Sequence, residues 1–196
     1  MKHLSITGAL MVLTQHASAQ GAPLSVPPPE VQITQAVLPL PEDLRDSASV
    51  LGYSADGKLV TLRRGAGSMI CLANNPRFER FHVACYHKSL EPFMARGRQL
   101  RTQGVTGDSV DVYRFREAKR GALKLPTTPA LLYSLSGTKD AYDPATKTAN
   151  ARSLYVIYVP YATGATTGLS EVPARGTPWV MNPGTPKAHI MFVPTM

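Results

Sequence analysis

Short runs of alternating apolar and polar residues in the first half of the chain predict β-strands. Residues 49–53 and 58–62 are two such runs, and the Ser-Ala-Asp-Gly sequence between them is typical of a hairpin turn. Two more runs, 67–73 and 80–86, flank the turn-forming sequence Asn74-Asn75-Pro76. Together the runs predict an N-terminal antiparallel meander.

The apolar period then lengthens to that of a helix over residues 88–103. Ser89 is a favourable N-cap, and Gly104 is a favourable residue to end the helix. Residues 106–120 fit either a helix or a strand, and we predict a helix there. The apolar face of the first helix consists of residues spaced three and four apart: Leu90, Phe93, Met94, Gly97 and Leu100.

Three further strands are predicted in the second half of the chain, over residues 130–136, 154–159 and 188–193. The first two are apolar on both faces, as central strands of a covered sheet are. Strands and helices do not alternate regularly, so a βαβ arrangement is not expected. The sequence therefore predicts an α+β fold: a mainly antiparallel sheet, made of the N-terminal meander and three C-terminal strands, packed with one or two helices.

The N-terminal residues have the features of an export signal. Met1-Lys2-His3 is a short basic region, Leu4–Leu13 is an apolar run too short to span a bilayer, and Ala17-Ser18-Ala19 matches a signal-peptidase site. We therefore predict a signal peptide over 1–19, cleaved after Ala19, and a periplasmic or extracellular mature protein. No other stretch reaches the ~20 apolar residues of a membrane span, so a membrane-embedded protein is not expected.

Residues 20–41 contain six prolines. Proline removes a backbone donor and interrupts both helices and sheets, so this segment is predicted to be an extended, disordered spacer. Residues 42–196 would then form a single α+β domain, which is long enough for one hydrophobic core.

Cys71 and Cys85 are the only two cysteines in the chain. In an oxidising compartment a lone pair of cysteines usually forms a disulfide. A hairpin symmetric about Phe78 would place the two directly opposite each other, close enough to be joined. We therefore predict one structural disulfide; the spacing excludes a CxxC redox motif.

The chain is basic, with 21 Lys and Arg against 13 Asp and Glu and a formal net charge of +8. Most of the excess lies between Arg77 and Lys124, in the predicted helical part. Arg96, Arg98 and Arg101 on one helix are candidates to bind phosphate or carboxylate groups. Outside the cytoplasm these belong to envelope glycans, lipid headgroups or acidic proteins, and nucleic acid is not an expected partner. The alternative is an ordinary solvated helix surface.

The sequence contains no G-x-S-x-G, P-loop, H-E-x-x-H or G-x-G-x-x-G motif. The strongest acid–base candidate is His87 with Glu91, because a carboxylate one helical turn away could orient the imidazole. A metal site would need His82, His87 and His189 to converge. Strand parity disfavours this, because His82 and His87 point to opposite faces. No cofactor is expected.

These observations favour an exported, non-catalytic module that binds an anionic envelope component through a basic helical face. The alternative is a small secreted hydrolase-like enzyme that uses His87 with Glu91, helped by His82 or His189. The two hypotheses differ in whether the histidine and the carboxylate meet in a cavity.

Overall fold

The structure, a computed structural model, describes residues 24–194, so the predicted signal peptide over 1–19 lies outside it. The helices are α1 (Pro29–Val37), α2 (Glu42–Arg45), α3 (Glu91–Thr102), α4 (Ser109–Lys119) and α5 (Gly164–Thr167). The strands are β1 (Ser49–Tyr53), β2 (Leu59–Arg63), β3 (Met69–Leu72), β4 (Arg80–His87), β5 (Ala130–Thr138), β6 (Tyr142–Asp143), β7 (Thr148–Ala149), β8 (Arg152–Tyr158), β9 (Trp179–Met181) and β10 (His189–Phe192). In this part of the chain no helix is long and apolar enough to cross a bilayer.

Eight strands form one sheet in the order β2-β1-β3-β4-β5-β8-β10-β9, and β6 and β7 form a separate hairpin. All neighbours in the large sheet are antiparallel except β1 and β3, which are parallel. The predicted α+β fold with a mainly antiparallel sheet is therefore confirmed.

The strand order differs from a simple meander, because β3 pairs with β1 and not with β2. The connection after β2 turns back beside the residues that precede β1. There the Gly67 N–H donates to the Ser47 carbonyl over 2.8 Å. Gly65 lies so close to the backbone of Ser47 and Ala48 that a side chain would not fit. This close approach requires glycine and brings β3 to the free edge of β1.

Both predicted helices in the middle of the chain are present. A 3₁₀ turn at Lys88–Leu90 leads into α3, and α4 lies within the ambiguous segment 106–120. Phe93, Gly97 and Leu100 of α3 are buried, as the apolar spacing predicts.

The prediction of a disordered spacer over 20–41 is wrong for α1. Its prolines stand at the ends of the helix, where Pro29 occupies the first turn and Pro39 follows the last, so they do not interrupt it. Between them, apolar residues recur at helical spacing and pack in the core: Ile33, Ala36 and Val37. Leu40, directly after Pro39, packs in the same cluster.

The two faces of the large sheet are covered differently. On one face, α1 packs over β1, β3 and β4, and its Ala36 carbonyl lies 3.1 Å from the Cys85 sulfur. We call this the α1 face. On the opposite, α3–α4 face, Leu90 and Phe93 pack with Tyr86 and Val156.

The predicted disulfide is confirmed and lies on the α1 face. Cys71 and Cys85 are directly opposed in the β3–β4 register, with Cα atoms 3.9 Å apart and both side chains fully buried. A disulfide is typical of proteins from oxidising compartments, so it agrees with a location outside the cytoplasm.

Candidate functional site

The two residues of the predicted acid–base pair take part in separate hydrogen bonds. Glu91 accepts hydrogen bonds from the Tyr86 hydroxyl (2.5 Å) and from Arg98 (2.7 Å). His87 instead shares a 2.8 Å hydrogen bond with the hydroxyl of Ser89 at the start of the helical segment. The Glu91 carboxylate is thus held by a tyrosine and an arginine, and neither contact orients His87 as a base.

Tyr86 makes this network unsuited to proton transfer at neutral pH. Burial raises the pKa of its phenol above the usual range, and Arg98 opposes this rise only in part. The hydroxyl therefore stays protonated and donates a hydrogen bond to Glu91. We interpret the three side chains as a structural connection between β4 and α3.

The three predicted ligand-binding arginines of α3 are not equivalent. Arg96 donates two hydrogen bonds to Glu117 of α4, at 2.7 and 2.6 Å, and its guanidinium lowers the pKa of that carboxyl. Arg98 is paired with Glu91. Arg101 is exposed and has no ion pair within residues 24–194. Two of the three charges are therefore already neutralised, that of Arg96 by α4 and that of Arg98 by the first residue of α3 itself.

Exposed basic residues without such partners lie on α4. Tyr113, Arg116, Lys119 and Arg120 recur three and four residues apart at the surface, and we call them the α4 basic face. The Arg116 guanidinium lies 5.7 Å from the centre of the Tyr113 ring, within cation–π range. None of the three cations has an ion pair in the described part of the chain.

The inner side of α4 carries charged residues that are paired within the protein. Arg114, only 5% exposed, points inward and stacks 3.9 Å above the Phe93 ring. Its guanidinium is paired with Asp111, which also accepts a 2.8 Å bond from Lys187. The charges on the inner side are paired within the protein, although the buried Arg114 Nε has no hydrogen-bond partner among the described residues. The charges on the outer side face solvent.

In the part of the chain that the structure describes, the three candidate histidines make separate hydrogen bonds. His82 shares a 2.8 Å hydrogen bond with Ser136, its direct partner across the β4–β5 ladder. His189 donates to the Lys187 carbonyl over 2.6 Å and is buried. Burial lowers the pKa of both imidazoles, so each is neutral near neutral pH. Among residues 24–194, no three His, Cys, Asp or Glu side chains are grouped as metal ligands, which contradicts the alternative built on His82, His87 and His189.

Comparison with known proteins gave no match: no family model, no curated protein and no solved structure is significantly similar to this chain.

Proposed function

We propose that this protein is an exported, non-catalytic module that binds an anionic component of the cell envelope through the α4 basic face. The observation that carries the proposal is the row of exposed cations on α4 and at its C-cap, Arg120, which form no ion pair within the described residues. The N-terminal export pattern and the disulfide support a location where envelope glycans and lipid headgroups are the available anions.

The chemistry of the α4 basic face suits phosphate or carboxylate groups presented on a surface or polymer. Arg116 and Arg120 offer planar guanidinium groups that bind such anions with two hydrogen bonds, and Lys119 adds a point charge between them. Tyr113 supplies an amphipathic ring beside the cations, as is common where a protein meets a membrane interface.

The test compares two variants of the mature chain, residues 20–196, that lose the same charge. One carries Arg116→Gln, Lys119→Gln and Arg120→Gln. The control carries Arg64→Gln, Arg77→Gln and Arg80→Gln, which are also exposed but lie outside the helices. Binding to phosphatidylglycerol vesicles and to immobilised polyphosphate is measured at low and at high salt.

We expect the α4 variant to bind at least tenfold more weakly, because each basic residue at an anionic surface contributes about 1 kcal/mol. The control should stay within about twofold of the unmodified protein, and added salt should weaken all binding. Preference for vesicles over polyphosphate assigns the ligand to lipid headgroups, and the reverse assigns it to a free polyanion. Equal losses in the two variants would show that net charge alone drives retention and would reject the proposed face.

A further inference from the structure

The α1 face of the sheet is only half covered by α1. Register partners form a continuous row across it: Cys71, Cys85, Tyr133, Tyr155 and Phe192. Helix α1 lies over the two cysteines, where its Ala36 contacts Cys85. The three aromatic residues continue the row beyond the helix on β5, β8 and β10, and Tyr155 is 36% exposed.

These aromatic rings contact one another, and Tyr133 also packs against the cluster under α1. Tyr133 and Tyr155 meet edge to face with ring centres 5.6 Å apart, and Tyr155 stacks with Phe192 at 6.3 Å. A parallel row of aliphatic register partners lies beside them: Leu131, Ile157 and Ile190.

The three aromatic residues, the three aliphatic residues and Pro178 line a groove of about 540 Å³. No charged side chain lines this groove. Its polar groups are the hydroxyls of Tyr133 and Tyr155. Binding sites for small molecules in proteins are concave, mostly apolar clefts of roughly 300–1,000 Å³ with a few polar groups, and this groove has that size and chemistry.

The dimensions of the groove argue against a macromolecular occupant. A stable protein–protein interface takes roughly 20–30 residues from each partner, whereas this groove is lined by seven. The area is therefore too small to hold a second copy of the chain by itself.

We propose that this groove on β5, β8 and β10 binds an uncharged small molecule that carries an aromatic ring. The ring would stack against Tyr155 and Phe192, the aliphatic row would cover its other parts, and the tyrosine hydroxyls would bond to a polar substituent. This site lies on the sheet face opposite α3 and α4 and is independent of the proposed anion binding.

The probe for the test is N-phenyl-1-naphthylamine, a neutral aromatic dye that fluoresces in apolar sites. The dye is titrated into the 20–196 chain and into two variants of it. Ile157→Asp places a charge in the groove, and Tyr155→Ala truncates an exposed ring. Phe78→Ala is the control, because Phe78 is a 54% exposed aromatic residue in the β3–β4 turn. Circular dichroism checks that each variant is folded; Tyr155→Ala keeps the test decisive if Ile157→Asp does not fold.

We expect saturable binding of one dye per chain, at least tenfold weaker in Ile157→Asp, several-fold weaker in Tyr155→Ala and unchanged in Phe78→Ala. The variant that lacks the α4 cations should bind the dye normally, so the two proposals can fail separately. Absence of saturable binding, or an equal loss in Phe78→Ala, would overturn the assignment. Sedimentation showing a dimer that Tyr155→Ala dissociates would assign the groove to a second copy instead and would also overturn it.

Discussion

At the scale of single residues, Gln32 is a buried polar residue whose side chain is bonded to backbone groups. It is 1% exposed, and its side-chain amide pairs with the backbone of β1. The Tyr53 N–H donates to its Oε1 over 2.7 Å, while its Nε2 donates to the carbonyls of Tyr53 (2.9 Å) and Pro27 (2.8 Å). A Cβ on Gly52 would lie 2.6 Å from the same Oε1, so the approach also needs glycine. One side chain thereby connects α1, the segment before it and the sheet.

Gln32→Ala should lower the free energy of unfolding by about 2 kcal/mol, because it leaves buried backbone groups of Tyr53 and Pro27 without partners. Urea denaturation of the 20–196 chain measures the change. Thr34→Ala is the matched control on the same helix, since the Thr34 hydroxyl makes only an exposed bond to the Glu30 carbonyl. The control should change stability by less than about 0.5 kcal/mol. Similar values for the two variants would show that the Gln32 contacts do not stabilise the protein.

At the scale of elements, α3 and α4 show how far the sequence could predict helices. The apolar residues of α3 recur at helical spacing because its inner face packs on aliphatic and aromatic side chains. Helix α4 turns a buried cation inward: Arg114 is accommodated by Asp111, the Phe93 ring and the Phe93 carbonyl. A charged residue on the inner face hides the amphipathic pattern, so the segment looks ambiguous until these partners are known.

The unpaired cations of the candidate site could not be identified from the sequence for a related reason. Counting charges located the basic region but could not distinguish paired from unpaired arginines. Arg96 is neutralised by Glu117, 21 positions away, and only the packing of α3 against α4 brings the two together. The cations that stay unpaired are on α4, where the helix had to be known before their common face could be recognised.

The contact between α4 and the β10 region gives a pH-dependent prediction. Burial raises the pKa of Asp111, but the bonds from Lys187 and Arg114 outweigh it and hold the pKa below the usual 3.8. A carboxyl whose pKa is lower in the folded state stabilises the protein above its unfolded-state pKa, and this stability is lost as the pH falls through the folded-state value. Acid should therefore weaken this connection.

Asp111→Asn should destabilise the protein by about 1–3 kcal/mol at neutral pH, because two charge-assisted bonds are weakened. Near pH 3 the difference from the unmodified protein should shrink. Urea unfolding at about pH 7 and about pH 3 measures both values. Asp46→Asn, at an exposed aspartate with no ion pair in residues 24–194, is the control and should have little effect at either pH. A difference that stays constant with pH would contradict the role of the Asp111 charge.

At the scale of the whole molecule, one sheet is shared by three hydrophobic clusters. Two lie on the α1 face, one under α1 and one around Phe81, Val83 and Ala141, and the third lies on the α3–α4 face. The strands and the disulfide could be predicted because their patterns are local: alternation within β4 and a hairpin that opposes Cys71 and Cys85. The covering of the α1 face could not, because a proline count over 20–41 does not show that the prolines stand at the ends of a helix. The strand order could not be predicted either, because the parallel pairing of β1 with β3 accompanies the contact of Gly65 with the backbone of Ser47 and Ala48.

The role of α1 predicts where the folded unit begins. If residues 20–41 were only a spacer, a chain of residues 42–196 would fold as well as a chain of residues 20–196. In the structure, Val37 and Leu40 are buried against Val50 and the disulfide. Each large buried side chain contributes about 1.5–3 kcal/mol, while a whole domain is stable by only about 5–15 kcal/mol. Removing α1 also removes Gln32 and exposes to water the apolar residues of β1, β3 and β4 that α1 covers.

We therefore expect a chain of residues 42–196 to lose cooperative unfolding or to aggregate, whereas a chain of residues 24–196 should unfold at nearly the same midpoint as the 20–196 chain. Thermal unfolding followed by circular dichroism compares the three chains. A synthetic peptide of residues 24–41, added to the short chain, should restore part of the cooperative transition, because the apolar surface it covers is already formed by β1, β3 and β4. A short chain that unfolds cooperatively at an unchanged midpoint would show that α1 is dispensable and that the domain begins after it.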